Sequence, residues 1–270
     1  LKNLIIRSLA GIVFVAVTLG SLLSGKYGFA LFFLLVLIGA LAEFYNLTKK
    51  TEVSPGKPEG ILTGMILFII SFFVASGTWP AKAYLILFPL LLFFFIAELY
   101  RKKEHPMENI AAGILGVGYV AVPISLATLI VFNRENNYSP DLMIALLALI
   151  WIYDSGAYLF GVSMGRHRLF ERISPKKSWE GAIGGVLVTL AASFFIARYT
   201  GVGLIHWLVM TLLVVVISTF GDLSESLLKR QFGLKDSGQL IPGHGGLLDR
   251  FDSLLFAVPV FVCYLELVVR

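Results

Sequence analysis

Charge, cysteine and polar connecting sequence are all scarce in this chain. Asp, Glu, Lys and Arg make up only 14% of its 270 residues, against roughly a quarter in an ordinary soluble domain, which argues against a water-soluble globule. A single cysteine, Cys263, excludes any intrachain disulfide. Set in an apolar run, it reads as a small buried hydrophobe and carries no redox information. Internal repeats, low-complexity tracts and long linkers are missing too, and with the repeats goes one mark of a secondary transporter. What is present is apolar: 57% of the residues are hydrophobic and the mean hydropathy is +0.85. The net charge of +5 does not point to nucleic acid, because the cations sit in loops between apolar segments, where they suit membrane topology and anionic headgroups.

A membrane span needs about 20 mainly apolar residues. Nine segments qualify, at roughly 8–23, 28–47, 61–79, 83–99, 110–132, 142–164, 181–199, 203–221 and 253–269. The expected fold is therefore all-α: a polytopic integral membrane protein of about nine transmembrane helices. The third and fourth spans are parted only by Gly77-Thr78-Trp79-Pro80-Ala81-Lys82, the weakest division. The first, with Lys2 and Arg7 ahead of it, has the look of a signal peptide but no convincing small-x-small cleavage site, and is read as a span. Residues 1–100 form N-terminal transmembrane helices with few special polar groups. Residues 101–270 form the region where chemistry concentrates.

Lys and Arg are distributed unequally. The N-terminus and the even-numbered loops carry 17 of them, the odd loops and the C-terminus 5. Positive loops stay inside, so the N-terminus and even loops are expected in the cytoplasm and the C-terminus outside, in a cell inner membrane.

The richest stretch runs from Ser226 to Asp252, with four cations (Lys229, Arg230, Lys235, Arg250), three carboxylates (Asp236, Asp249, Asp252) and a Gly-His-Gly-Gly turn. Cations and glycine turns suit phosphates, and paired carboxylates suit a divalent metal. As the eighth span leaves the membrane, helical spacing stacks Asp222, Glu225, Ser226 and Lys229 on one face. Asp249 and Asp252 recur at the entry to the ninth. A hairpin of these spans would bring Asp222 and Asp249 together, and unpaired carboxylates beside hydrocarbon call for a cationic partner. Mg2+, bound by one or two carboxylates and substrate phosphates, is the simplest, with Asp252 or Glu225 next in line. In the turn, Gly245 and Gly246 are able to aim backbone N–H groups at an anion. His244 is a loop histidine, a phosphate donor or an acid, but no metal ligand, since Mg2+ prefers oxygen.

A second constellation, Ser174-Pro175-Lys176-Lys177-Ser178-Trp179-Glu180-Gly181, places hydroxyls and cations just before a helix, where they would cradle a phosphate. It lacks Walker A spacing. Asp154, at mid-depth in the sixth span, is a functional candidate by position. Glu43 and Glu98, near span ends, read as structural residues that snorkel to the interface or pair with nearby lysines; Glu43→Gln is expected to be mild.

These residues resemble a known family. Ser226-x-Leu228-Lys229-Arg230, four residues, Lys235-Asp236-x-Gly238, followed by Pro242-x-His244-Gly245-Gly246-x-x-Asp249-Arg250-x-Asp252, is similar to the signature of phosphatidate cytidylyltransferases, also called CDP-diacylglycerol synthases. Ser174 to Gly181 resembles a second family motif. The resemblance is specific over about residues 150–252 and compositional before that. It implies CTP plus phosphatidic acid giving CDP-diacylglycerol and pyrophosphate, at an active site facing the cytoplasm. Asp222, Asp249, Lys229 and His244 would be the catalytic set. Ser174, Lys176, Lys177, Ser178, Arg230, Lys235, Gly245, Gly246 and Arg250 would contact substrates, and Mg2+ would sit on Asp222, Asp249, Asp252 or Glu225. Membrane lipids are the surroundings, nucleic acid is not a partner, and a homodimer stays open. A CTP-dependent polyprenol or phytol kinase is the rival enzyme, which would need a base for the lipid hydroxyl. A secondary transporter is the rival of another class; its polar groups would line both sides, whereas here they crowd one.

Overall fold

The computed structural model describes residues 2–48, 51–238 and 245–270, with the backbone alone for residues 2–8. The helices are α1 (Lys2–Leu23), α2 (Lys26–Leu47), α3 (Lys57–Ala75), α4 (Leu87–Arg101), α5 (Pro106–Gly116), α6 (Val122–Val131), α7 (Asp141–Met164), α8 (Trp179–Thr200), α9 (Leu204–Gln231) and α10 (Leu248–Tyr264). Helices dominate because a chain in hydrocarbon must satisfy its own backbone polar groups. Among the described residues, eight helices are long and apolar enough to cross a membrane. Each coincides with one expected span, the second through the ninth. The first span corresponds to α1, whose described apolar part is Leu9–Leu23. The protein is thus an all-α multi-pass membrane protein.

The weak division between the third and fourth spans is real. Gly77 adopts a left-handed φ of 71°, Trp79 stacks on Phe73 at 4.8 Å between ring centroids, and a 3-10 turn, Ala81–Ile86, leads into α4. The fifth span is α5 and α6 joined through a π turn, Val117–Ala121. Pro123, at the start of α6, has no N–H to continue the ladder, and a wider turn absorbs the lost bond. One feature departs from the all-helical expectation: β1 (Arg168–Phe170) and β2 (Ser174–Ser178) form a small antiparallel hairpin with Arg168 opposite Ser178. This loop is too basic for hydrocarbon, and its backbone groups pair with each other instead.

The chain divides into two compact units. The first comprises residues 1–140 and 231–251. Its centre is the buried face of α2, with Phe29, Phe33, Leu37, Leu41 and Tyr45; Tyr45 Oη donates to the Gly113 carbonyl at 2.8 Å. Glu98, expected as a structural residue that snorkels or pairs with nearby lysines, is buried and paired, with an arginine. Its carboxylate receives Arg101 Nη1 at 2.6 Å and Asn109 Nδ2 at 2.6 Å, while Asn109 Oδ1 accepts from Ser54 N at 2.6 Å. A carboxylate stays inside when each oxygen has a donor.

The second unit comprises residues 141–230 and 252–270. In it α7 and α8 run close together along small residues: a Cβ on Gly156 would lie 3.2 Å from Gly185 Cα, and one on Gly181 would lie 2.7 Å from the Ala157 carbonyl. Such seams let backbones approach where lipid leaves no hydrophobic drive between helices. The rest of α10 packs on α9, with Gly221 against the Asp252 carbonyl and Phe256 and Trp207 against Phe261. Cys263, expected to be buried, is exposed on α10; on a helix apolar all round, composition alone cannot say which side turns outward.

Candidate active site

In the second unit the polar groups gather around Asp222, near the polar end of α9. Ser226, one turn on, donates to Asp222 Oδ1 at 3.3 Å. The Lys177 ammonium, carried by β2, makes an ion pair with Asp222 Oδ2. The hairpin thus brings the second sequence motif to the first. Asp252 interacts electrostatically with Asp222, Asp154 and Lys229. The Tyr153 hydroxyl lies 2.6 Å from Thr219 Oγ1 in the same unit. Three aspartates and two lysines therefore share one surrounding.

Glu225 and Lys229 behave differently from the rest of the stacked face. Glu225 is fully buried, and its Oε2 receives Lys229 Nζ at 2.6 Å. Glu225, expected as an alternative metal ligand, thus has its charge answered by a lysine of its own helix. Ser178 also serves its own helix, since its Oγ accepts from Gly181 N at 3.2 Å and caps α8. The cap replaces one N–H bond that a helix start lacks. Ser174 is half-buried in β2, Lys176 is exposed there, and Arg230 is exposed at the end of α9. An open cleft is lined by Arg166, His167, Arg168, Glu171, Trp179, Glu180 and Ile183, and in it Glu180 already pairs with His167 at 2.6 Å.

In the first unit the first turn of α10 is organised by Asp249. Its Oδ2 accepts from Ser237 N at 2.9 Å, Ser237 Oγ at 3.0 Å and Gly246 N at 2.7 Å. Gly245 has φ 85° and a Cβ there would sit 2.8 Å from Asp249 Oδ2. The turn requires glycine at this position on both counts. The Gly246 N–H, expected to face a ligand phosphate, instead donates to Asp249, because a carboxylate in a helix's first turn competes for the nearest free amide. Lys235 and Arg250 are exposed. His244 lies outside the described residues.

A model of the cytidylyltransferase family matches residues 5–268. The chain belongs to that family. Three curated relatives agree, each named phosphatidate cytidylyltransferase. The Staphylococcus haemolyticus protein is 31% identical over 258 residues, covering 94% of this chain and 96% of the relative. Those of Staphylococcus epidermidis and Staphylococcus aureus are each 32% identical, over 261 and 260 residues, with the same coverage of both chains. Family membership therefore extends over the N-terminal half, where the sequence resemblance was compositional alone.

Two residues at the Asp249 turn were not legible beforehand. Ser237 falls on an unspecified position between Asp236 and Gly238, and only its place inside the motif hinted at it. Glu43, set aside as a structural residue that snorkels or pairs with a lysine, is 5% exposed and bonded to Ser237 and Leu248 beside Asp249; no spacing rule links α2 to α10.

Among the described residues, no three His, Cys, Asp or Glu side chains converge as a metal cage. Mg2+ does not need one, since it commonly takes one or two carboxylates and completes its shell with phosphate and water. The donor chemistry fits: Asp222 and Asp252 offer hard oxygens in one surrounding.

Proposed function

We infer that the chain transfers CMP from CTP to phosphatidic acid, giving CDP-diacylglycerol and pyrophosphate in phospholipid synthesis. The carrying observation is the match, over nearly the whole length of both chains, to relatives named phosphatidate cytidylyltransferase. A CTP-dependent lipid kinase and a transporter are not favoured by it.

The chemistry is a displacement at phosphorus. An oxygen of the lipid phosphate forms a bond to the α-phosphorus of CTP. The bond from that phosphorus to the bridging oxygen breaks, and the electron pair leaves with pyrophosphate. A phosphomonoester has its second pKa near ~6, so the nucleophile is largely dianionic at neutral pH and needs no general base. The obstacle is bringing one polyanion against another, and charge neutralisation with positioning overcomes it.

Lys177 is proposed to hold phosphate, with Lys176, Arg230, Lys235 and Arg250 as the exposed cations that gather it. Lys177 is ion-paired with Asp222, so a phosphate held by Lys177 competes with that carboxylate for the ammonium. Lys229 is proposed to act on the phosphates from its buried pair with Glu225. The carboxylates proposed for Mg2+ are Asp222 and Asp252. When bound, the ion would neutralise triphosphate charge and stabilise the leaving pyrophosphate. Trp179 and the arginines of the adjoining cleft suit a membrane–water boundary. The N-terminus and the even-numbered loops are proposed to face the cytoplasm, where CTP is found.

The reaction class is tested by the position of label. With phosphatidic acid and Mg2+, label in the α-phosphate of CTP should enter lipid and label in the γ-phosphate should leave as pyrophosphate. Transfer of γ-label to lipid would identify a kinase instead.

A further inference from the structure

Glu43 is a buried acid for which the chemistry above has no use. It sits on α2, and in the same unit its Oε2 accepts from Leu248 N at 2.8 Å, the first amide of α10. The same oxygen accepts from Ser237 Oγ at 3.1 Å. Ser237 in turn contacts Asp249 Oδ2 through both its amide and its hydroxyl. The α2 carboxylate thus holds Ser237 on one side and the start of the Asp249 helix on the other. Gly238 and Gly246 close around it, since a Cβ on either would collide with the Glu43 carboxylate. Its other oxygen, Oε1, is buried and has no hydrogen-bond partner among the described residues. Holding a carboxylate in such a place is costly. Packing and two accepted hydrogen bonds would be served equally by a neutral amide, so the retained carboxylate argues for a role beyond packing.

We propose that Glu43 is a positioning residue for CMP transfer, setting the place of Asp249 through Leu248 N and Ser237. This rests on the reading of Asp249 as an essential carboxylate of a phosphatidate cytidylyltransferase. Displacement of a reacting constellation by about 1 Å costs roughly a hundredfold in rate. Glu43→Gln keeps an oxygen able to accept from both Leu248 N and Ser237 Oγ; Glu43→Ala keeps neither.

The test uses the full chain purified in detergent, with wild type, Glu43→Gln, Glu43→Ala, Ser237→Ala and the Glu43→Ala/Ser237→Ala double variant. Thermal melting, KM for each substrate, kcat and equilibrium binding of CTP are measured for each. Glu43→Ala should lose about a hundredfold in kcat/KM for CTP, with weaker CTP binding and an unchanged KM for phosphatidic acid. Glu43→Gln should stay within about threefold of wild type, and the double variant should fall little below Glu43→Ala, because both act on one turn. If Glu43→Ala does not fold, Ser237→Ala must show the same CTP-selective loss. The proposal is overturned if Glu43→Ala or Ser237→Ala retains wild-type CTP kinetics. It is overturned equally if Glu43→Gln loses as much as Glu43→Ala, or if both substrates suffer alike in step with a lowered melting temperature. A wild type that makes no CDP-lipid would overturn the functional reading, a distinct result.

Discussion

Replacing Lys177 with alanine separates a structural strut from a working cation. The Lys177 and Asp222 side chains are 31% and 34% exposed. Two unit charges about 4 Å apart attract by roughly 4 kcal/mol at an effective dielectric constant near 20. Solvent screening at that exposure and the entropy of fixing two side chains reduce the net to about 1 kcal/mol or less. Lys177→Ala should therefore lower the melting temperature in detergent by no more than a few degrees. The catalytic cost is larger: removing one preorganised group that stabilises developing phosphate charge costs about 100- to 1000-fold, or roughly 3–4 kcal/mol. The assay is kcat for CMP transfer in mixed micelles, alongside the melt. Lys177→Arg should be intermediate, keeping charge but not the point geometry of an ammonium. Lys177→Ala combined with Asp222→Asn should lose little more than the worse single variant, because the two act as a unit. Activity within about fivefold of wild type would refute a role for Lys177 in phosphate handling, as would an activity loss that merely follows a loss of stability.

Asp222→Asn and Asp249→Asn should each abolish turnover at every Mg2+ concentration while the purified proteins stay monodisperse; near-wild-type activity of either variant would exclude that carboxylate as essential. Asn109→Ala leaves a buried Glu98 oxygen without its donor and should lower stability by about 1.5–3 kcal/mol, read from thermal melts, with kcat of the folded fraction unchanged. Cysteine reporters near Lys57 and Lys176 should resist a membrane-impermeant reagent in intact cells, and one after Arg270 should react; the reverse pattern would invert the proposed orientation.

Eight of the nine expected spans were legible because about 20 apolar residues leave a chain little choice but helix, and even the doubtful break at Gly77–Pro80 was real. The hairpin at Arg168–Ser178 was not, since a short basic loop carries no alternation of polar and apolar residues to announce a strand. Within the site, spacing correctly stacked Asp222 with Ser226 and Glu225 with Lys229, which are neighbours along one helix. It said nothing of Lys177 meeting Asp222, or of Glu43 meeting Ser237 across 194 positions. Those contacts depend on which helices pack together. Motif residues also proved to hold structural duties invisible in a linear pattern: Ser178 caps α8, and the Gly246 amide serves Asp249. Cys263 turned outward for the same reason, as an apolar helix does not declare its buried face.

The most direct measurement quantifies products and protein-bound label together. Purified protein is given CTP labelled in the α-phosphate with Mg2+, once with phosphatidic acid and once without. With the lipid, CDP-diacylglycerol and pyrophosphate should appear in equal amounts. Without it, the denatured protein should carry no label and added pyrophosphate should not exchange into CTP, because lipid phosphate attacks the nucleotide directly. A cytidylyl group trapped on the protein, or lipid-independent exchange, would contradict direct displacement, and failure to form CDP-diacylglycerol would contradict the assigned reaction itself.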